Sequence, residues 1–331
     1  MRRLLVLAVL LFAIPAHAEV TIDWLTVGDP GNAGDTQVMT CCGDSIGTSG
    51  YGAVPYEYRI GKYEVTNAQY TEFLNAVADD DTNALYNTSM ADVSFSGGIT
   101  RSGSSPNFSY SAIAGREDMP VNWVSFYDTL RFANWLSNGQ PTGTQDSTTT
   151  EDGAYDMSLG SSVVRKAGAT VFLTSEDEWY KAAYYDTGAT SYFDYPAGSD
   201  TQTTCTTPGA TANTANCSPV VGDLTDVGSY TGAASPNVTF DQGGNVLEWN
   251  EAILDGSDRG LRAGAFTGLA GFLAASIRLA TSPVGETLDL GFRVASLEPE
   301  AAPIIPVLSP AGLLVFAAGL LGFIGYYRRR F

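Results

Sequence analysis

Histidine is almost absent: the only one in 331 residues is His17. That position lies in a segment expected to be removed, so the mature chain has no imidazole. Without one there is no Ser-His-Asp triad, no His-ligated zinc or iron and no His general base. Basic residues are scarce too. Seventeen Lys and Arg stand against 36 Asp and Glu, a net charge of −19, so a phosphate backbone is repelled and nucleic acid is not an expected partner. Charged residues make up only 16 %, long helical runs are few, and Gly (36) and Tyr (17) are plentiful. Short Thr/Ser/Asn/Gly stretches break the apolar runs, which favours a loop-rich fold over a helical bundle. Cysteine is limited to Cys41, Cys42, Cys205 and Cys217. An even number suits an oxidising compartment, and four cysteines allow three pairings between which sequence does not choose. Cys205 and Cys217 flank a Thr/Ala/Asn/Pro-rich loop with little else to hold it, so they are the favoured disulfide.

Both ends of the chain read as addresses. Met1-Arg-Arg3, the apolar Leu4 to Ile14 and the small-x-small pattern Ala16-His-Ala18 form a secretory signal peptide over 1–18, with cleavage expected after Ala18. At the other end a Pro/Ala-rich linker, 297–310, leads to an apolar run, 311–327, and a basic tail, 328–331. The run is just long enough for a transmembrane helix, and the arginines would stay cytoplasmic. Pro306-Val-Leu-Ser-Pro310 followed by the span and Arg328-Arg-Arg330 resembles the PEP-CTERM sorting signals of Gram-negative bacteria. The resemblance implies the secretion machinery and an exosortase as partners and a transient stay in the inner membrane. Delivery is then to the cell surface or extracellular polymer, the alternative being a membrane-anchored periplasmic protein.

Between the ends, the chain is organised around Asp241-Gln-Gly-Gly-Asn-Val-Leu-Glu-Trp-Asn-Glu251. Its glycines and asparagine turn the backbone sharply, and Val246, Leu247 and Trp249 then enter a buried strand. Two readings compete for its carboxylates. Asp241 and Glu248 form a calcium site with turned carbonyls, or Asp241 caps the turn and Glu248 accepts buried hydrogen bonds. Upstream, Val20 to Val27 and Tyr56 to Tyr63 read as strands. Capping boxes predict three helices: Thr66 with Gln69, Ser125 with Asp128, and Ser175 with Glu178. Asp79-Asp-Asp81 reads as a solvated turn, and 82–118 as irregular surface.

Taken in order, the blocks Tyr63-Glu-Val-Thr-Asn-Ala-Gln-Tyr-Thr-Glu-Phe73, Pro120-Val-Asn-Trp-Val-Ser-Phe-Tyr-Asp128, Leu173-Thr-Ser-Glu-Asp-Glu-Trp179, Gly244-Asn-Val-Leu-Glu-Trp249 and Leu290-Gly-Phe-Arg-Val-Ala295 resemble those of formylglycine-generating enzymes, the sulfatase-modifying factors. The resemblance implies one α+β domain over 55–296, a variant of the C-type-lectin-like fold with mostly antiparallel sheet, and 19–54 as its N-terminal extension. It also implies calcium on Asp241, the Gly244 and Val246 carbonyls and Glu248, with a second calcium near Asn216, the Cys217 carbonyl and Asp223. Those enzymes hold copper(I) on a cysteine pair that follows an Arg-Gly-Gly-Ser-Trp-like strand, and soft copper(I) requires such ligands. Here that strand is Arg262-Ala-Gly-Ala-Phe266, and no cysteine follows Cys217. Copper and catalytic residues are therefore not expected.

The expected function is an exported, non-catalytic module that binds a glycan, polymer or protein. Asn122, Trp123, Tyr230 and Asn237 are loop candidates, for which packing and turn roles are the stronger reading. The alternatives are an oxidoreductase with displaced chemistry, for instance on Cys41 and Cys42, and a structural envelope component.

Overall fold

Among the described residues each of the three α-helices begins where its capping box stands, and the largest sheets are two of four strands each. The computed structural model describes residues 19–40 and 46–297. The signal peptide with its Ala18 cleavage site, Cys41 and Cys42, and nearly all of the C-terminal address lie outside these residues. Among the described residues no helix is long and apolar enough to cross a membrane.

Helix α1 (Asn67–Val77) starts at Thr66, whose hydroxyl accepts from the Gln69 amide while the Gln69 side chain accepts from the Thr66 amide. This reciprocal pair satisfies two amides that the first turn leaves without partners. Ser125 and Asp128 do the same for α2 (Phe126–Ser137), and Ser175 and Glu178 for α3 (Glu176–Tyr184). Tyr70 and Phe73 of α1 meet Phe132 and Trp135 of α2, with Phe73 edge-on to Phe132 at 5.3 Å between centroids. Phe292 closes the cluster against Phe132, and such edge-to-face pairs add about 0.5–1.5 kcal/mol each beyond area burial. Leu136 is only half-buried, and its neighbours Phe132 and Trp135 fill the core.

The strands used below are, in chain order, β1 (Trp24–Val27), β2 (Tyr58–Gly61), β3 (Ile99–Ser104), β4 (Asn107–Ala112), β5 (Val171–Leu173), β6 (Leu247–Leu254), β7 (Asp258–Arg262), β8 (Leu279–Thr281), β9 (Leu290–Gly291) and β10 (Val294–Ser296). One four-stranded sheet runs β1-β2-β10-β5, antiparallel throughout. The other runs β8-β7-β6-β9, with only β6 and β9 parallel. The α+β class and mostly antiparallel pairing are as expected.

Two local expectations are corrected. Residues 99–112 form the hairpin β3–β4 rather than irregular surface. Its polar sequence hides the reason for pairing: Arg101 lies over the Tyr86 and Phe108 rings at 4.6 and 4.3 Å, and buried Tyr110 donates to the Ala78 carbonyl. Asp81 is not solvated. Its side chain is 4 % exposed, caps the Leu85 amide at 2.7 Å and pairs with Arg101.

Candidate functional site

The loop that enters β6 is a hub of left-handed backbone, with φ of 59° at Asp241, 94° at Gly244 and 59° at Asn245. At Gly244 a Cβ would stand 2.4 Å from the Asn216 carbonyl oxygen, so only glycine fits. The Asn245 amide donates to that same carbonyl, and the Asn245 side-chain oxygen accepts from the Thr225 amide and the Asn216 side chain. Gly244 donates to the Ala263 carbonyl, and the Phe266 amide donates to Asn245. The hub therefore ties residues 216–225 to the segment after β7.

Its carboxylates do not assemble as expected. Glu248 is completely buried, and both its oxygens face the guanidinium of Arg293, with Nε–Oε2 and Nη2–Oε1 each 2.7 Å. Trp179 Nε1 adds a third bond at 2.8 Å. The rest of the guanidinium donates to the Gly61 and Phe240 carbonyls. A calcium ion needs several free oxygens with net negative charge, yet here a buried cation already occupies the carboxylate. Asp241 turns instead to the Gly228 amide, and burial pushes its carboxyl up to about 6, against that hydrogen bond and Arg293. The set Asp241, Gly244, Val246 and Glu248 thus does not fit calcium as drawn from the sequence. Glu248 follows the other reading, a buried acceptor.

The second set, Asn216, Cys217 and Asp223, is also taken up internally. The Asp223 carboxylate is forked by Arg116 at 2.7 and 2.8 Å, and the Cys217 carbonyl accepts from Val220. The Asn216 side-chain nitrogen donates to the Asp223 carbonyl and to Asn245, leaving its oxygen buried without a partner.

Beyond the hub, Arg262 at the end of β7 is 2 % exposed and reaches Glu176 at the start of α3 with Nε and Nη2 at 2.9 and 2.7 Å. Arg278 reaches both oxygens of Glu176, with Nε on Oε1 and Oε2 at 2.7 and 2.9 Å and Nη2 on Oε2 at 2.6 Å, and the Arg262 guanidinium lies beside the adjoining Tyr51 and Tyr180 rings at 5.2 and 5.0 Å. Burial alone would raise the Glu176 carboxyl, but the two guanidiniums outweigh it and hold it below the ordinary carboxylate range. After Arg262, Ala263, Ala265, Phe266 and Leu273 are at most 4 % exposed, whereas Leu269 and Phe272 face solvent at 65 and 41 %.

The structure pairs Cys205 with Cys217, and this disulfide packs against Leu273 and Ala270. Both sulfurs are engaged in the S–S bond, and residues 263–273 supply no other soft donor, so the segment does not fit copper(I). Of the four loop candidates Asn122 and Tyr230 are buried and Trp123 and Asn237 half-buried, and each is engaged internally. Asn122 holds the Ser96 and Leu288 carbonyls, Trp123 the Phe95 carbonyl, Tyr230 the Thr206 carbonyl, and Asn237 those of Lys181, Ala182 and Tyr185. Arg293 and Glu176 were missed in the sequence although both lie in the quoted blocks, because block order does not say which charges meet.

Residues 52–297 match the sulfatase-modifying factor enzyme 1-like domain family. The chain belongs to that family. As a sulfatase-modifying-factor-like domain it shares its fold with solved structures at low identity. The crystal structure of CarF is 21 % identical with a TM-score of 0.52, over 84 % of this chain and 99 % of that one. Treponema denticola variable protein 1 is 18 % identical with a TM-score of 0.52, over 86 % and 99 %. No curated protein matches this sulfatase-modifying-factor-like chain.

Proposed function

We propose that this chain is an exported, surface-sorted member of its family that binds a ligand without catalysing a reaction. The observation that carries the reading is the segment after Arg262. Where the enzymes of the family place a cysteine pair, this chain has Thr267 to Leu273 without sulfur, behind a turn after β7 whose Ala265 and Phe266 are buried. Arg262 is locked to Glu176 rather than offered to a substrate. The family resemblance and the address-like termini support a surface role, with a glycan, a polymer or a protein as ligand.

A second reading is favoured by one contact. Because the Cys205–Cys217 disulfide lies against Leu273 and Ala270, reduction would place two thiols beside the segment where the relatives hold copper. One experiment separates the two. Oxidised and fully reduced protein are each incubated with Cu(I), O₂ and a cysteine-containing sulfatase peptide, and the peptide is followed by mass spectrometry. The expected result is no aldehyde in either arm, together with retention of an envelope component in extracellular-polymer pull-downs. Aldehyde formed only by the reduced protein would establish the second reading, and an empty pull-down would count against the first.

A further inference from the structure

An acidic groove of about 550 Å³ opens between the N-terminal segment, the β2–α1 connection and the first turn of α1. We propose that this groove binds a ligand carrying several separated ammonium groups, either a polyamine or a lysine-rich peptide segment. It shares no lining residue with Arg262 to Leu273, so this inference goes beyond the ligand-binding proposal and stands or falls separately.

Six carboxyl groups line the groove: Glu19, Asp23, Glu64, Glu72, Asp118 and Asp226. None of them forms an ion pair with a described residue. The one basic residue on the lining, Lys62, does not neutralise them; its ammonium lies over the Tyr63 and Phe240 rings at 5.1 and 5.5 Å. The volume lies within the range of small-molecule sites.

Glu64 gives a second, independent sign. It is 1 % exposed, it belongs to the groove lining, and neither of its oxygens has a hydrogen-bond partner. A buried carboxyl left without partners is costly, on the order of 1–3 kcal/mol, and a ligand N–H would remove that cost. The charges facing it from its surroundings are Asp241, Arg293 and Glu248. Burial and the Asp241 carboxylate push Glu64 upward from the ordinary carboxylate range, against the charge of Arg293, and an arriving ammonium would favour its ionised form.

The spread of the carboxylates selects the chemistry. A metal ion needs its ligands converging within coordination distance, and among the described residues no group of three acidic, histidine or cysteine side chains could hold one. Dispersed carboxylates along an open groove match a chain of spaced positive charges instead.

The test is calorimetric titration of the full chain with spermine and with a tetralysine peptide, at physiological salt (about 0.15 M) and in two buffers of different ionisation enthalpy. Expected are saturable one-to-one binding of at least one probe and proton release that Glu64→Gln abolishes. The triple variant Glu72→Gln, Asp118→Asn, Asp226→Asn should weaken binding about tenfold. A control that removes as many charges elsewhere, Glu57→Gln, Asp79→Asn, Asp258→Asn, should change it little. Tighter spermine binding would identify a free polyamine, tighter peptide binding a protein segment. No saturable binding, equal weakening by both triples, or displacement by calcium at equal concentration would overturn the proposal. Circular dichroism of each variant keeps a folding defect from being read as lost binding.

Discussion

Arg293→Met should destabilise the domain by about 3–5 kcal/mol, the cost typical of leaving one partner of a buried ion pair alone. Arg293 and Glu248 are both fully buried, and the guanidinium makes four bonds of 3.0 Å or less: two to Glu248, one to Gly61 and one to Phe240. Removing it strips Glu248 to the Trp179 bond and withdraws the cation that faces Glu64 and Asp241. For a domain of this size the melting temperature should fall by roughly 6–20 °C. The double variant Arg293→Met, Glu248→Gln should recover part of that loss, since a neutral amide no longer needs a cation. Calcium supplies the sharper test. If Arg293 stands where the sequence suggested an ion, millimolar calcium should leave the wild type unchanged and partly rescue Arg293→Met. A wild type that melts well above its chelated form would sink this account.

The contrast between Glu248 and the three helix caps shows what was legible. A capping box is local: Thr66 and Gln69, or Ser175 and Glu178, meet because helix geometry brings positions three apart together, so the residues specify the contact. The loop before β6 was equally legible as a turn, since Gly244 must adopt positive φ beside the Asn216 carbonyl. What its carboxylates bind was not. Glu248 and Arg293 are 45 residues apart, joined only through the β6–β9 pairing and the short step to Phe292. The same holds for Arg262 with Glu176 and for Arg101 between Tyr86 and Phe108, where a side chain from a distant segment decides whether a charge is solvated, paired or stacked. Polar stretches such as 99–112 were misread for a related reason. Their pairing is driven by one arginine and one buried tyrosine rather than by alternation along the strand.

Asp128→Asn should stabilise the protein at pH 8 and change little at pH 5. Asp128 is 2 % exposed, and burial together with the Glu286 carboxylate pushes it up to about 7, against the hydrogen bonds from Ser125 and the charge of Arg131. Its carboxyl and that of Glu286 are hydrogen-bonded, and Glu286 is held from the other side by Asn87. The folded state thus binds a proton that the unfolded chain releases near the usual carboxylate value. A group raised in this way contributes stability that is complete below its unfolded pKa and lost as pH rises through its folded one, here between about 4 and 7. Asp241, raised to about 6, loses its contribution over a lower part of the same window. Glu176 and Glu178 act in the opposite sense: arginines hold both below the ordinary range, so their stabilisation is lost as pH falls. Asparagine reproduces the protonated form of Asp128, accepting from Ser125 and donating to Glu286 at any pH. The gain at pH 8 is bounded at about 4 kcal/mol by the size of the shift, or roughly 10 °C in melting temperature. Equal melting curves for variant and wild type at pH 8, or a loss of the same size at both pH values, would mean that Asp128 stays ionised in the fold and acts only as a helix cap.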